Sequence, residues 1–113
     1  MIKACVIGYP IKHSRSPAIH TYWLRQLKID GSYDRREIRP EDLRVFLENL
    51  RSGVLGGCNV TLPHKERACN FVDELDERAK RTGSINTVYV REGRTLATST
   101  DGEGFVENIR WRL

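Results

Sequence analysis

Apolar and polar positions change their period several times along this chain, and each change marks an element. Val6-Ile7-Gly8 closes a short apolar strand near the N-terminus. Ser16-Pro17 then opens a stretch in which Ile19, Tyr22, Trp23 and Leu27 recur at helical spacing. Ser32 to Ile38 predicts a second strand. In Pro40-Glu41-Asp42 the proline suits a first helical turn and the acids suit the positive end of the dipole, with Leu43, Phe46, Leu47 and Leu50 as the buried face. Gly53 stops that helix, and Gly57-Cys58-Asn59-Val60-Thr61 predicts a third strand ending at Leu62-Pro63, where proline removes a ladder donor.

From His64 to Arg81 the pattern reads as mostly helical, with an acidic cluster at Asp73, Glu74, Asp76 and Glu77 and a stop at Gly83. Ser84 to Arg91 and Thr95 to Thr100 read as strands flanking a hairpin turn at Glu92-Gly93-Arg94. Thr100-Asp101-Gly102-Glu103 fits a capping box before Phe105, Ile109 and Leu113 at helical spacing. Strands alternating with helices predict an α/β fold: a three-layer sandwich with a mostly parallel sheet plus one antiparallel hairpin. With 113 residues, 39% of them hydrophobic, the expectation is one domain spanning 1–113 around a single modest core.

Composition narrows the function classes. The apolar run before Tyr9-Pro10 is too short for a signal-peptide core or a membrane span, so the expected location is the cytoplasm, with no membrane partner. Cys5, Cys58 and Cys69 are odd in number and lack Cys-x-x-Cys spacing, and they read as reduced, buried thiols. Cys58, His64 and Cys69 match no common zinc spacing and have no fourth ligand nearby, so no metal is expected. Lys and Arg number 19 against 15 Asp and Glu, giving a net charge of +4, but without a basic block or stripe, and no nucleic-acid partner is expected. Such a field would help attract an anionic small molecule.

Ligands of open α/β sheets bind outside the carboxyl ends of the strands, and there the polar residues gather: Ser14 and Ser16, Asn59 and Thr61, Thr100 and Asp101. Each has a plainer reading. Ser14 and Ser16 stand beside a helix start, where a carboxylate would be favoured but where a simple cap is common. Asn59 and Thr61 could tie off a strand, Lys65 could be a surface charge, and Asp101 could only cap a helix. Together, a Lys and an Asp at neighbouring strand ends could share a substrate hydroxyl, the amine passing a proton while a hydride leaves the same carbon. Gly102-Glu103-Gly104 does not extend to a dinucleotide fingerprint, because position 107 is Glu.

Four ordered motifs then combine: Ile7-Gly8-Tyr9-Pro10-Ile11-Lys12-His13-Ser14-Arg15-Ser16-Pro17, Asn59-Val60-Thr61-Leu62-Pro63-His64-Lys65, Gly83-Ser84-Ile85-Asn86-Thr87 and Thr100-Asp101-Gly102. In this order they resemble the shikimate dehydrogenase family, in its N-terminal, substrate-binding part. The resemblance implies NADP-dependent interconversion of shikimate and 3-dehydroshikimate. It implies that Ser14 and Ser16 hold the substrate carboxylate, that Asn59, Thr61, Asn86 and Asp101 bond the ring hydroxyls, and that Lys65 is the proton acceptor with Asp101 beside it. Glu77 matches a position associated with the cofactor, although a solvated helix face is the preferred reading for it. In the family a Rossmann-type domain follows and binds most of the NADP; it is absent from these 113 residues, so the chain alone is expected not to turn over. A quinate/shikimate enzyme and a non-catalytic shikimate- or quinate-binding sensor domain remain the alternatives. Ser99 stands where many members have Asn. A homodimer is left open by the apolar Phe105, Ile109, Trp111 and Leu113 near the C-terminus.

Overall fold

The computed structural model describes residues 2–11, 18, 21, 25 and 30–99. Among them run strand β1 (Ile2–Gly8), β2 (Gly31–Glu37), helix α1 (Leu43–Asn49), β3 (Gly57–Val60), β4 (Glu74–Leu75), α2 (Glu77–Thr82), β5 (Thr87–Arg91) and β6 (Arg94–Thr98). Short 3-10 turns at Pro40–Asp42 and Leu50–Ser52 flank α1, and a third covers Arg67–Phe71. Ala18, Thr21 and Arg25 are helical, in agreement with the helix expected after Ser16-Pro17. The sheet order is β2-β1-β3-β5-β6-β4. Pairs β1–β2, β1–β3 and β4–β6 are parallel, whereas β3–β5 and β5–β6 are antiparallel.

Register decides which residues share a face. Cys5, Cys58, Val88 and Ala97 are mutual partners across four strands, so their side chains lie on one face. There they join Ile7, Val60, Leu43, Leu47 and Leu50 in one core, which α1 closes. The neighbouring row, Val6, Asn59, Thr87 and Thr98, lies on the opposite face. Ala4, Cys5, Val6 and Ile7 are each at most 5% exposed, so β1 is covered on both sides, as the three-layer reading requires. Cys5 and Cys58 carry free thiols, and burial raises both, Cys5 to about 12 and Cys58 well above its ordinary range. They are inert apolar filling, as the sequence suggested, whereas Cys69, also read as buried, is a free thiol only half-buried.

Two local expectations hold closely. Gly53 and Gly83 end their helical segments with positive φ, and the hairpin closes through a two-residue turn, Glu92 and Gly93, both at positive φ, with Arg91 facing Arg94. That is the mirror-image turn that matches strand twist.

One expectation fails. The span from His64 to Arg81 is a 3-10 turn, a two-residue strand and a short helix rather than one helix. Asp73 and Asp76 are taken by β6 instead. Asp73 N–H donates to Thr95 O at 3.1 Å and its carboxylate accepts from Thr95 N at 2.8 Å; Asp76 N–H donates to Ala97 O at 3.0 Å. Asp76 is also the N-cap of α2, accepting from Ala79 N at 2.8 Å. Short acceptors bonding nearby backbone break a helix and favour turns and caps, and an uncovered β6 edge supplies the backbone to bond.

Candidate functional site

The site is a rim where parallel strands end and their antiparallel neighbour begins. Because β5 runs against β3, its first residues stand beside the end of β3: Val60 N donates to Asn86 O at 2.8 Å, and Asn86 N donates to Thr98 O at 3.2 Å. Thr61 is held by its own N–H on Ile7 O at 2.9 Å. Its hydroxyl makes no hydrogen bond among the described residues. Gly8 is what admits Thr61 so close, since a Cβ there would stand 2.5 Å from Thr61 Cγ2 and 3.1 Å from Leu62 O.

A tight turn carries the chain from Thr61 to Lys65. His64 N donates to Thr61 O at 3.0 Å, and Ile85 N donates to Lys65 O at 3.0 Å, so the backbone of Lys65 is tied to the residue just before Asn86. His64 is fully buried and its Nε2 lies 2.5 Å from Ile38 O; a carbonyl can only accept, so Nε2 carries the proton. That fastens the turn to the loop leading into α1. Lys65 itself is half-buried, forms no ion pair among the described residues, and lines a cleft of about 460 Å³ with Leu62, Pro63, Glu66, Arg67 and Ser84. Leu62 is 72% exposed at its lip.

Asn59 lies behind the rim and is spoken for. Its Nδ2 donates to Asn86 O at 3.2 Å and to Thr87 Oγ1 at 3.1 Å, while its Oδ1 accepts from the Tyr33 hydroxyl at 2.7 Å. Both amide hydrogens are therefore used within the protein. Thr87 in turn donates to Asn86 Oδ1 at 2.8 Å. Tyr33 and Thr87 carried no signal of this in the sequence beyond ordinary strand propensity. Tyr33 is the one buried residue of β2, in a segment otherwise rich in charge.

Of the residues singled out from sequence, the structure thus brings Asn59, Thr61, Lys65 and Asn86 to one edge. Ser14, Ser16, Thr100 and Asp101 lie outside the described residues. Glu77 opens α2 on an exposed face, with its carboxylate 3.7 Å from Lys80 Nζ. An acidic group there could accept from a hydroxyl or amide of a cofactor but would repel its phosphates. No helix of the described residues is long and apolar enough to cross a membrane, and no group of three His, Cys, Asp or Glu among them could hold a metal ion.

An α/β domain with a hydroxyl, amides and a lysine at its strand ends belongs to the class of domains that hold polar small molecules at a sheet rim. Comparison with known proteins narrows the class. The family model for the shikimate dehydrogenase substrate binding domain matches residues 6–88. A shikimate dehydrogenase (NADP(+)) of Sinorhizobium fredii (strain NBRC 101917 / NGR234) is 52% identical over 108 residues, covering 94% of this chain and 38% of the relative. That of Brucella abortus (strain S19) is 47% identical over 107 residues, covering 95% and 37%. Among solved structures, shikimate 5-dehydrogenase from Thermus thermophilus, in complex with NADP(H) and shikimate, superposes with a TM-score of 0.85 at 38% identity, over 98% of this chain and 42% of that one. This chain belongs to the shikimate dehydrogenase family, as its substrate-binding domain. It spans 37% to 38% of the length of these curated relatives.

Proposed function

We propose that this chain holds shikimate, or its oxidation product 3-dehydroshikimate, and supplies the proton-transferring lysine of an NADP-dependent shikimate dehydrogenase. The observation that carries the reading is the meeting of Thr61, Lys65 and Asn86 at one sheet edge in a chain of this family. Residues from two separate segments, the 61–65 turn and the start of β5, converge where a ring bearing several hydroxyls needs donors and acceptors at short range. Ser14 and Ser16 hold the substrate carboxylate, Thr61, Asn86 and Asp101 bond its hydroxyls, and Asn59 supports them from behind. In oxidation, Lys65 Nζ takes the proton of the reacting hydroxyl while the carbon gives up a hydride, and Asp101 holds the same hydroxyl in place. NADP supplies the hydride acceptor; Glu77 offers it a single acceptor at the edge of this domain, and the phosphates are left to residues beyond these.

The test is turnover by the intact dehydrogenase, followed by NADPH absorbance with shikimate or quinate as reductant. Shikimate-dependent NADPH formation that collapses in Lys65→Ala, with binding retained, supports the reading. Binding without turnover in the wild type would make the domain a sensor, and preference for quinate would move the enzyme to the quinate branch. Light scattering of the same protein decides whether it is a homodimer.

A further inference from the structure

We infer that Tyr33 and Thr87 are positioning residues of this rim: Thr87 directly, and Tyr33 by way of Asn59, lock the amide of Asn86 in one orientation and so decide which of its polar groups the substrate meets. The inference rests on the functional reading above for its ligand, but the chain of hydrogen bonds stands on geometry alone. Its polarity is fixed by one group that can only accept, the backbone carbonyl of Asn86. That carbonyl takes Val60 N at 2.8 Å and an amide nitrogen of Asn59 at 3.2 Å, so the group of Asn59 facing it is Nδ2.

Everything else follows in order. With Nδ2 turned towards β5, Asn59 Oδ1 faces β2, where the Tyr33 hydroxyl stands 2.7 Å away and must donate. The second Nδ2 hydrogen goes to Thr87 Oγ1 at 3.1 Å. Thr87 Oγ1, which accepts that bond, donates its own hydrogen to Asn86 Oδ1 at 2.8 Å. Asn86 therefore turns its oxygen back into the sheet, and its trigonal geometry aims Nδ2 the other way. An amide free to flip would offer a ligand an acceptor as readily as a donor; this one is set.

The sheet is built to allow it. Asn59 and Thr87 are register partners on one face, and Tyr33 starts a row lower, beside Ala4, whose own partner is Gly57. Small neighbours leave room for the tyrosine ring to lean along the strands to Asn59. Thr87 is fully buried and Tyr33 is 9% exposed, so neither is expected to touch substrate, and both act through Asn86. Buried hydrogen-bonded chains of this kind specify one arrangement because any break leaves a polar group without a partner.

The experiment compares intact wild-type dehydrogenase with Thr87→Val, Thr87→Ser and Tyr33→Phe, measuring kcat, both KM values and thermal midpoints. Thr87→Val keeps the branched shape but removes the hydroxyl; it should raise KM for shikimate about fivefold or more, leaving KM for NADP within about twofold. Thr87→Ser should restore the wild-type value, and Tyr33→Phe should give a smaller rise in the same constant. The inference is overturned if Thr87→Val and Tyr33→Phe both leave KM for shikimate at its wild-type value. It is equally overturned if both KM values rise together, or if serine fails to rescue. Should wild type itself not turn over shikimate, the functional reading fails, and the side-chain amide resonances of Asn86 decide the orientation. A shift of that NH2 pair in Thr87→Ser smaller than in Thr87→Val supports the lock, and unchanged resonances in Thr87→Val refute it.

Discussion

Two polar networks stitch this sheet, one at each end of the strand order, and they are made of different chemistry. At the rim, Tyr33, Asn59, Thr87 and Asn86 are neutral and bond in a single direction. Towards the β4 edge, Asp73 carries a charge and gathers Arg51 in a two-pronged pair, 2.9 Å from Nε and 2.6 Å from the second nitrogen, together with Thr95 N and its hydroxyl. Beside it Asp76 caps α2 and accepts from the Thr98 hydroxyl. A neutral chain fixes orientation without adding a pH dependence, which suits the proposed role of presenting chosen donors to a ligand. A charged clamp tolerates exposure and ties a two-residue strand and a short helix to the sheet, which suits an edge with little apolar area of its own. The difference predicts that rim substitutions alter chemistry and edge substitutions alter stability.

The largest effect should come from Lys65→Ala in the intact enzyme: kcat falls about 100- to 10,000-fold while shikimate binding and the thermal midpoint stay close to wild type. Steady-state kinetics with calorimetric titration check this, and a parallel loss of stability would erase the contrast. Gly8→Ala should cross the line between the regions. Its Cβ would press on Thr61 and on the Leu62 carbonyl, so a stability loss of about 1–3 kcal/mol should accompany a raised KM for shikimate. Denaturant melts and kinetics on one preparation read both.

Asp73→Asn tests the edge through pH. The Arg51 side chain first, and then the Thr95 backbone N–H, hold the Asp73 carboxyl well below the usual carboxylate range. A lowered pKa in the folded state means the unfolded state binds the proton first as pH falls. The contribution is therefore complete above the unfolded value, near 4, and is lost as pH drops from there towards the folded value. With the carboxylate partly exposed and screened by solvent, Asp73 contributes about 1–2 kcal/mol at neutral pH. Urea midpoints of wild type and Asp73→Asn should differ by a constant amount from neutral pH down to about 5 and converge below about 4, with kcat unchanged. A gap that persists in strong acid would mean that the carboxylate's charge is not what holds the edge. Asp76→Ala is the smallest of the four, about 1 kcal/mol from the lost cap of α2, visible in the same melts and silent in kinetics.

Much of this molecule is written locally. Gly53 and Gly83 as stops, the Glu92-Gly93 turn and the apolar face of α1 each depend on residues within a few positions, so the sequence determined them. The motifs around Asn59, Lys65 and Asn86 likewise fall at strand boundaries, because a strand end followed by Pro, or a Gly-Ser break before a strand, is a local event. What the sequence could not determine was pairing. Whether Asp73 and Asp76 lie in a helix or against β6 depends on Thr95 and Ala97, some 20 residues away, and only the uncovered strand edge settles it. Asn59 as an orienting residue depends on Tyr33, 26 positions earlier, reaching over β1. Propensity is a property of neighbours in the chain, whereas a hydrogen-bond chain across four strands exists only once their register is set, and register is decided by the packing of the whole sheet.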